Sequence, residues 1–291
     1  MKGVLQMLGV QKKNTRKVVL VLLTILTSQT FLYANQVFAK EPVVLHFAHS
    51  ASVDSPKSKI ALRFQELVQN RLGSQFVKVE VYPKGMLFDD DQLAPAVLKN
   101  RVQMIAAPVS NLQLYSPRFK LFDLPFLFLT EKAASRFLQG VYGERLLSLV
   151  ENIDAVGLAY LNNGMKQISS SKKVVVSEDA KNLNFLISNS DIADIQFRQI
   201  GAQPIVGNLN KVVTQLKNQV VDGQENTWSD IYNLQVYEHQ PYVLESNHVY
   251  LADMIIASKE FWESLPDQIR IVLLHSSLYW KSNVSWIAKK R

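Results

Sequence analysis

The chain has 291 residues, of which 47% are hydrophobic and 20% are charged, and it contains no cysteine. Without cysteine there can be no disulfide, thiolate metal site, cysteine nucleophile or lipid-bearing N-terminal cysteine. Residues 1–39 carry five of the 32 basic residues and none of the 25 acidic ones. The rest of the chain therefore has a net charge of only +2, with no basic stripe that would indicate a nucleic-acid or anionic-membrane partner. About 250 residues of this composition can bury a core of their own.

Residues 1–39 have the three parts of an export signal. Basic residues precede an apolar run at 18–26, and the small residue Ala39 ends the segment. The apolar run is shorter than the roughly 20 residues that a spanning helix needs, so an uncleaved anchor is the less favoured alternative. We predict cleavage after Ala39 and a periplasmic location.

Apolar residues with a period of two predict strands, and apolar residues at helical spacing predict helices. The predicted strands are 43–49, 76–82, 102–107, 155–161 and 184–188. The predicted helices are 60–72, after the start signal 54–56, then 91–100, 131–138, 145–150, 192–200 and 210–217, and a final helix with apolar positions Ile271, Leu274, Leu278 and Ile287. The periodicity breaks at 163–171, between the strands 155–161 and 184–188. Strands that alternate with helices predict an open α/β sheet.

The segment VVDGQEN at 220–226 gathers polar side chains where an open α/β sheet places its ligands. Asp222 and Glu225 could act as an acid and base pair, but no nearby histidine marks a relay. The alternative is a polar strand end whose carboxylates cap backbone amides. The five histidines show no metal-binding spacing, and no hydrolase, dinucleotide or nucleotide motif occurs. We predict no catalytic site, metal or cofactor.

Eight segments, in order, resemble the extracytoplasmic solute-binding proteins of tripartite ATP-independent periplasmic (TRAP) transporters, the DctP-like family that captures organic acids. They are FAHSASVDSPKS (47–58), VKVEVYPKGML (77–87), VQMIAAPVS (102–110), FDLPFLF (122–128), GLAYLNNGMKQIS (157–169), VVDGQEN (220–226), SNHVYL (246–251) and FWESLP (261–266). The resemblance implies an α/β, periplasmic-binding-protein-like type II fold, with two α/β lobes joined by hinge strands and a long helix, and a ligand cleft between them. Lobe I would comprise 40–163 and 251–291, and lobe II 164–250.

The resemblance also implies the ligand contacts. Asn226 would reach the ligand, while Asp222 and Glu225 would be structural, because an amide can donate hydrogen bonds to a carboxylate without like-charge repulsion. Taken alone, Lys166 is typical of a solvated loop lysine. By resemblance, the further ligand contacts are Lys166, Lys57, His49, Asn247 and His248.

The chain departs from the family pattern at the main carboxylate clamp. Relatives carry an arginine where Leu186 stands here, and Val213 replaces a frequent tyrosine. A leucine offers neither of the two parallel charge-assisted hydrogen bonds of a guanidinium, each worth on the order of 1.5–3 kcal/mol. Three alternatives for the ligand therefore stay open: a monocarboxylate, a neutral or differently held solute, or no ligand at all. Relatives also continue with more helix beyond the region of 281–291, so the resemblance implies a shortened C-terminus.

The predicted function is that of a monomeric periplasmic receptor. It would capture a small organic acid, carboxylate or dicarboxylate-like, by hinge closure and deliver it to TRAP-type membrane permease subunits without catalysing a reaction. One alternative is a degenerate or truncated relative with no transport role, or an interaction or sensory protein. Another is an exported hydrolase that uses Asp222 and Glu225.

Overall fold

The computed structural model describes residues 41–208 and 211–287, with side chains as far as residue 277. The predicted leader, residues 1–39, lies outside the described residues. Within the described ranges, no helix combines the length and the apolar character needed to cross a membrane.

The described residues form an α/β structure. Its strands are β1 Val43–His49, β2 Val77–Tyr82, β3 Met104–Pro108, β4 Ala155–Ser170, β5 Asn184–Ile187, β6 Gln203–Val206, β7 Gly223–Thr227, β8 Tyr242–Leu244 and β9 Tyr250–Ser258. Its α-helices are α1 Pro56–Leu72, α2 Asp90–Leu98, α3 Glu131–Gln139, α4 Val141–Ser148, α5 Asp191–Gln199, α6 Val212–Lys217, α7 Trp228–Asn233, α8 Lys259–Ser264 and α9 Asp267–Ile287. Short 3₁₀ helices occur at Val109–Leu112, Pro117–Asp123, Leu149–Ile153, Ser177–Ala180 and Val236–Glu238.

Helix α1 begins and ends where the sequence predicts. Ser55 caps it, its Oγ accepting a hydrogen bond from the Ser58 backbone N–H at 3.2 Å, and Pro56 takes the first position, where a missing N–H costs nothing. Gly73 ends the helix with a φ of 82°, a left-handed conformation that favours glycine. This cap fixes the first turn of α1 and thereby the position of Lys57.

The strands form one mixed sheet. Among the described residues the order is β2-β1-β3-β9-β4-β7-β5-β6, and β8 pairs with β4 beside this path. Strand β3 is parallel to β1, and β5 is parallel to both β6 and β7. Strand β9 is antiparallel to β3 and β4, and β7 is antiparallel to β4. Two groups of parallel strands are thus joined by the long antiparallel pair β4 and β9.

The periodicity breaks at 163–171, but the predicted end of the strand at 161 is wrong, because β4 continues to Ser170. Its last six residues, Met165 to Ser170, are all buried. Ser169 Oγ accepts a hydrogen bond from Gln224 Nε2 at 2.9 Å and donates one to Gln240 Oε1 at 2.5 Å. Because Ser169 has partners for its hydroxyl inside the protein, a polar residue can occupy a buried strand position here, and the segment shows no apolar alternation. Gly164 sits at a register shift between β4 and β9, with a φ of 103°.

Alternate residues of β5 enter different apolar clusters, as a strand requires. Phe185 and Ile187 pack with Phe197, whereas Leu186 packs on the other face. Gly223 of β7 faces Phe185, and a Cβ atom there would lie 2.3 Å from the ring. The glycine of the VVDGQEN segment is therefore explained by packing against Phe185.

Helix α9 confirms the predicted final helix but not its buried face. Leu273 is fully buried, whereas Ile271 and Leu274 are exposed. The side chains of Leu278 and Ile287 lie outside the described ones. Helix α9 packs against α1 and β4, and Arg71 Nη1 donates to Ser276 Oγ at 3.5 Å.

Candidate functional site

A cavity of about 440 Å³ lies at the carboxyl ends of both groups of parallel strands. Ser50 and Pro108 bring β1 and β3 to its wall. Ser188, Gly207 and Asn226 do the same for β5, β6 and β7. Ligands in open α/β sheets bind outside the carboxyl ends of the strands, so the topology makes this cavity the candidate site.

Asn226 lies on the cavity wall and is buried. Its Oδ1 accepts a hydrogen bond from the Thr227 backbone N–H at 2.9 Å. This bond occupies the amide oxygen, so the NH₂ group is the part of the side chain that can serve a ligand. Asn226 therefore presents a neutral donor, which suits a carboxylate.

Lys166 also lines the cavity, and it belongs to a buried charge network. Its Nζ lies 2.9 Å from Glu225 Oε1 and 3.4 Å from Ser188 Oγ. The other Glu225 oxygen, Oε2, lies 3.0 Å from His248 Nε2. Burial opposes the ionisation of Glu225, but Lys166 and His248 outweigh it and lower the pKa of the carboxyl to about 2. Glu225 thus ties β7 to β4 and to His248, and Lys166 keeps a third N–H for a solute.

Lys57 reaches the cavity from the first turn of α1. Its Nζ lies 2.9 Å from Asp253 Oδ2, and both side chains are buried. Burial alone would lower the pKa of Lys57, but the carboxylates of Asp253 and Asp90 outweigh it and raise the pKa. The ammonium is therefore charged and already has a partner inside the protein.

The other three predicted contacts, His49, Asn247 and His248, are absent from the described cavity lining. His49 is buried near Ser58, its Nε2 3.4 Å from the hydroxyl, and burial lowers the pKa of the imidazole to about 3. Asn247 Oδ1 accepts from Gln167 Nε2 at 2.8 Å. His248 holds Glu225 from behind, and its other ring nitrogen bonds Ser246. Their ligand roles stay predictions.

Leu186 is fully buried in an apolar cluster and does not line the cavity. Its neighbours in that cluster are Val212, Val221, Ile231 and Val236. The leucine that stands at the predicted clamp position is thus buried among other apolar side chains and does not face a solute. Among the described lining residues, no arginine takes over the predicted clamp.

Sequence reasoning missed the acidic side of the cavity. Asp90 and Asp230 line it from the first turns of α2 and α7. Ser50 Oγ donates to Asp90 Oδ1, and Thr227 Oγ1 donates to Asp230 Oδ2 at 3.1 Å. Burial raises the pKa of Asp230 to about 6, although Lys57 and Thr227 oppose the rise. The only sequence feature that marks these two residues is an acid in the first turn of a helix, and such acids are usually attributed to favourable interaction with the helix dipole.

The two acids of the hydrolase alternative have structural partners. Asp222 Oδ2 accepts from the Asn184 backbone N–H at 2.9 Å, and Glu225 is held by Lys166 and His248. Asp222 is absent from the described cavity lining. Within the part of the chain that the structure describes, no three histidine or carboxylate side chains are grouped as metal ligands would be.

Residues 47–278 match the model of the bacterial extracellular solute-binding proteins, family 7, the DctP family. The chain belongs to this family. It is 41% identical to the C4-dicarboxylate-binding periplasmic protein DctP of Shewanella loihica, over 80% of this chain and 69% of the relative. It is 33% identical to the C4-dicarboxylate-binding protein DctB of Bacillus subtilis, over 85% of this chain and 70% of the relative.

Solved structures of TRAP periplasmic solute-binding proteins resemble this family 7 chain. One from Shewanella oneidensis with bound succinate has a TM-score of 0.80 and 39% identity, covering 84% of this chain and 81% of that one. One from Pseudomonas aeruginosa with bound L-malate has a TM-score of 0.78 and 37% identity, covering 84% and 86%. The sugar acid binding protein of Advenella mimigardefordensis, with galactonate, has a TM-score of 0.80 and 30% identity, covering 84% and 80%. The predicted family and the type II periplasmic-binding fold are confirmed.

Proposed function

We propose that this chain is the periplasmic solute receptor of a TRAP-type transporter. It captures a small organic acid in the cavity and delivers it, as a monomer, to the membrane permease. The main support is the cavity, which lies at the carboxyl ends of both groups of parallel strands and is lined by Asn226 and Lys166. Relatives with the same fold hold succinate, malate and galactonate.

The solute is held by donors along β4 and β7. The Asn226 amide and the remaining N–H of Lys166 are the groups that suit a carboxylate, whereas the Ser188 hydroxyl already donates to Glu225 Oε1 at 3.4 Å. Each hydrogen bond to a charged group contributes about 1.5–3 kcal/mol. Glu225 keeps Lys166 charged at neutral pH, so its remaining N–H is a charge-assisted donor to one solute carboxylate, in place of the arginine that the family resemblance implies.

Closure brings together lobe I (40–163 and 251–291) and lobe II (164–250). Strands β4 and β9 connect the lobes, and the register shift at Gly164 marks the point where β4 can bend. Three polar contacts at the rim join the two lobes: Lys120 Nζ to Asp191 Oδ2 at 2.5 Å, Gln113 Nε2 to the Asn189 carbonyl at 2.6 Å, and Lys211 Nζ to Asp89 Oδ2 at 3.6 Å. Because these contacts run between the two proposed lobes, they support a hinge that closes over the cavity.

Asn226→Asp is expected to abolish organic-acid binding. The change keeps the shape of the side chain but replaces the donating NH₂ by a carboxylate oxygen, so a bound anion loses a hydrogen bond and meets a like charge. Thermal melts with a panel of organic acids and amino acids measure this. A ligand at a hundredfold excess over its Kd stabilises the parent by about 2.7 kcal/mol, and the variant should show no shift.

The matched control is Asn182→Asp, which makes the same charge change at an exposed residue with a φ of 61°, a conformation that aspartate tolerates. This control should keep the ligand-dependent shift. Equal shifts in Asn226→Asp and its parent would remove Asn226 from the site. A cooperative melt with no shift for any acid in the parent would instead favour a relative without a transport role.

A further inference from the structure

The described residues of the cavity wall carry more acids than bases. The bases are Lys57, Lys166 and Lys211, and the acids are Asp89, Asp90, Asp91 and Asp230. The two buried lysines are moreover neutralised from behind, Lys57 by Asp253 and Lys166 by Glu225, each at 2.9 Å. The wall therefore offers a solute a surplus of negative charge and little positive charge.

The surplus is concentrated around Lys57. Asp253 Oδ2 lies 2.9 Å from its Nζ, Asp90 and Asp230 line the same cavity, and the charges of all three carboxylates raise the pKa of Lys57. The hydrogen bonds from Ser50 and Thr227 each use one oxygen of Asp90 and Asp230, respectively. These bonds leave the second oxygen of each carboxylate able to accept a hydrogen bond from a solute.

We propose that Asp90 and Asp230 select a solute with an ammonium group opposite its carboxylate, so that the ligand is a zwitterionic amino acid and not a dicarboxylate. This rests on the proposed function, in which the Lys166 and Asn226 side of the cavity holds the carboxylate. An ammonium has three N–H donors for the two acceptors and offsets the local charge. A second carboxylate in that place would meet like charges and no donor from either aspartate.

The test uses three four-carbon acids that differ at the far end. Succinate has a second carboxylate, succinamate a carboxamide and 4-aminobutyrate an aminomethyl group. The measurement is calorimetric titration of the exported chain, residues 40–291, at pH 7.5. We expect the Kd of 4-aminobutyrate to be at least about tenfold below that of succinate, which is equivalent to about 1.4 kcal/mol. The Kd of succinamate should lie between the two.

Asp90→Asn and Asp230→Asn should each weaken the binding of 4-aminobutyrate and leave the binding of succinate unchanged or stronger. Asp194→Asn is the matched control, since it makes the same charge change in the Asp194 and Arg198 pair on α5, away from the cavity; it should change neither Kd.

Binding should also depend on pH through Asp230. The groups that act on the Asp230 carboxyl are Lys57 of α1, Asp90 of α2, Asp253 of β9 and the hydroxyl of Thr227, which caps α7. The pKa of Asp230 is near 6, so binding of 4-aminobutyrate should weaken as the pH falls from about 7.5 to about 5.5. In Asp230→Asn this loss should be reduced.

The ligand series in the unaltered chain decides the proposal even if a variant fails to fold. Tighter binding of succinate than of 4-aminobutyrate would overturn the inference and leave the receptor function intact. A folded chain that binds none of the three would overturn both. Weaker binding of 4-aminobutyrate in Asp90→Asn or Asp230→Asn, together with an unchanged Kd in Asp194→Asn, would support the assignment.

Discussion

Glu225→Gln is expected to lower the free energy of unfolding by about 3–5 kcal/mol, the usual cost of removing one partner from a buried ion pair. Lys166 is buried and has its Nζ 2.9 Å from the Glu225 carboxylate. Glutamine preserves the shape and one acceptor but leaves the ammonium without its counter-charge, and it also removes the carboxylate that His248 contacts. Urea denaturation at pH 7 measures the effect.

The comparison for this prediction is Asp194→Asn, which breaks a pair on the surface of α5. Exposed pairs contribute about 0–1 kcal/mol because water screens them, so this variant should stay near its parent. A cost below about 1 kcal/mol for Glu225→Gln as well would mean that Lys166 does not depend on Glu225.

The same ion pair gives the protein a pH dependence. The pKa of Glu225 falls from 4.5 to about 2 in the folded chain. The stability that this carboxylate contributes is therefore fully present above pH 4.5 and is lost as the pH falls towards about 2. Stability of the parent should drop more steeply than that of Glu225→Gln over this window, as urea midpoints at successive pH values would report. Parallel curves would contradict the assignment.

Leu186→Arg is expected to destabilise the fold by about 3–5 kcal/mol, because it buries a charge without a partner. Leu186 is fully buried among Val212, Ile231 and other apolar side chains. Introducing the arginine that the family resemblance implies at this position should therefore not create a carboxylate clamp. The free energy of unfolding of the variant, from urea denaturation, is the measurement.

Leu186→Met is the control for size and shape, and a volume-conserving change of this kind costs less than about 1.5 kcal/mol. The outcome that would contradict the prediction is a Leu186→Arg variant as stable as the parent that also binds succinate more tightly. That result would mean that the longer side chain reaches past Gly207 into the cavity, whose wall that glycine helps to form.

Local signals predicted those elements whose apolar pattern is intact. The Ser55 cap and Gly73 bounded α1, and alternation located β1 at 43–49. The second half of β4 was missed because its polar residues are satisfied by partners distant in sequence, such as Gln224 and Gln240. A pattern of hydrophobicity cannot report bonds made between separate segments.

The candidate site was predicted less completely than the fold. Asn226, Lys166 and Lys57 came from a family resemblance, and the structure brings all three to the cavity wall. Asp90 and Asp230 lie 140 positions apart in the sequence. They come together only because the first turns of α2 and α7 line the same cavity. No spacing in the sequence could have predicted that the two carboxylates share a site.

Native mass spectrometry of the exported chain, residues 40–291, incubated with a mixture of small carboxylic and amino acids, measures solute capture itself. We expect one small-molecule adduct per chain, absent from Asn226→Asp and retained in Asn182→Asp. A folded parent chain that shows no adduct, or an adduct that Asn226→Asp keeps in full, would contradict this expectation.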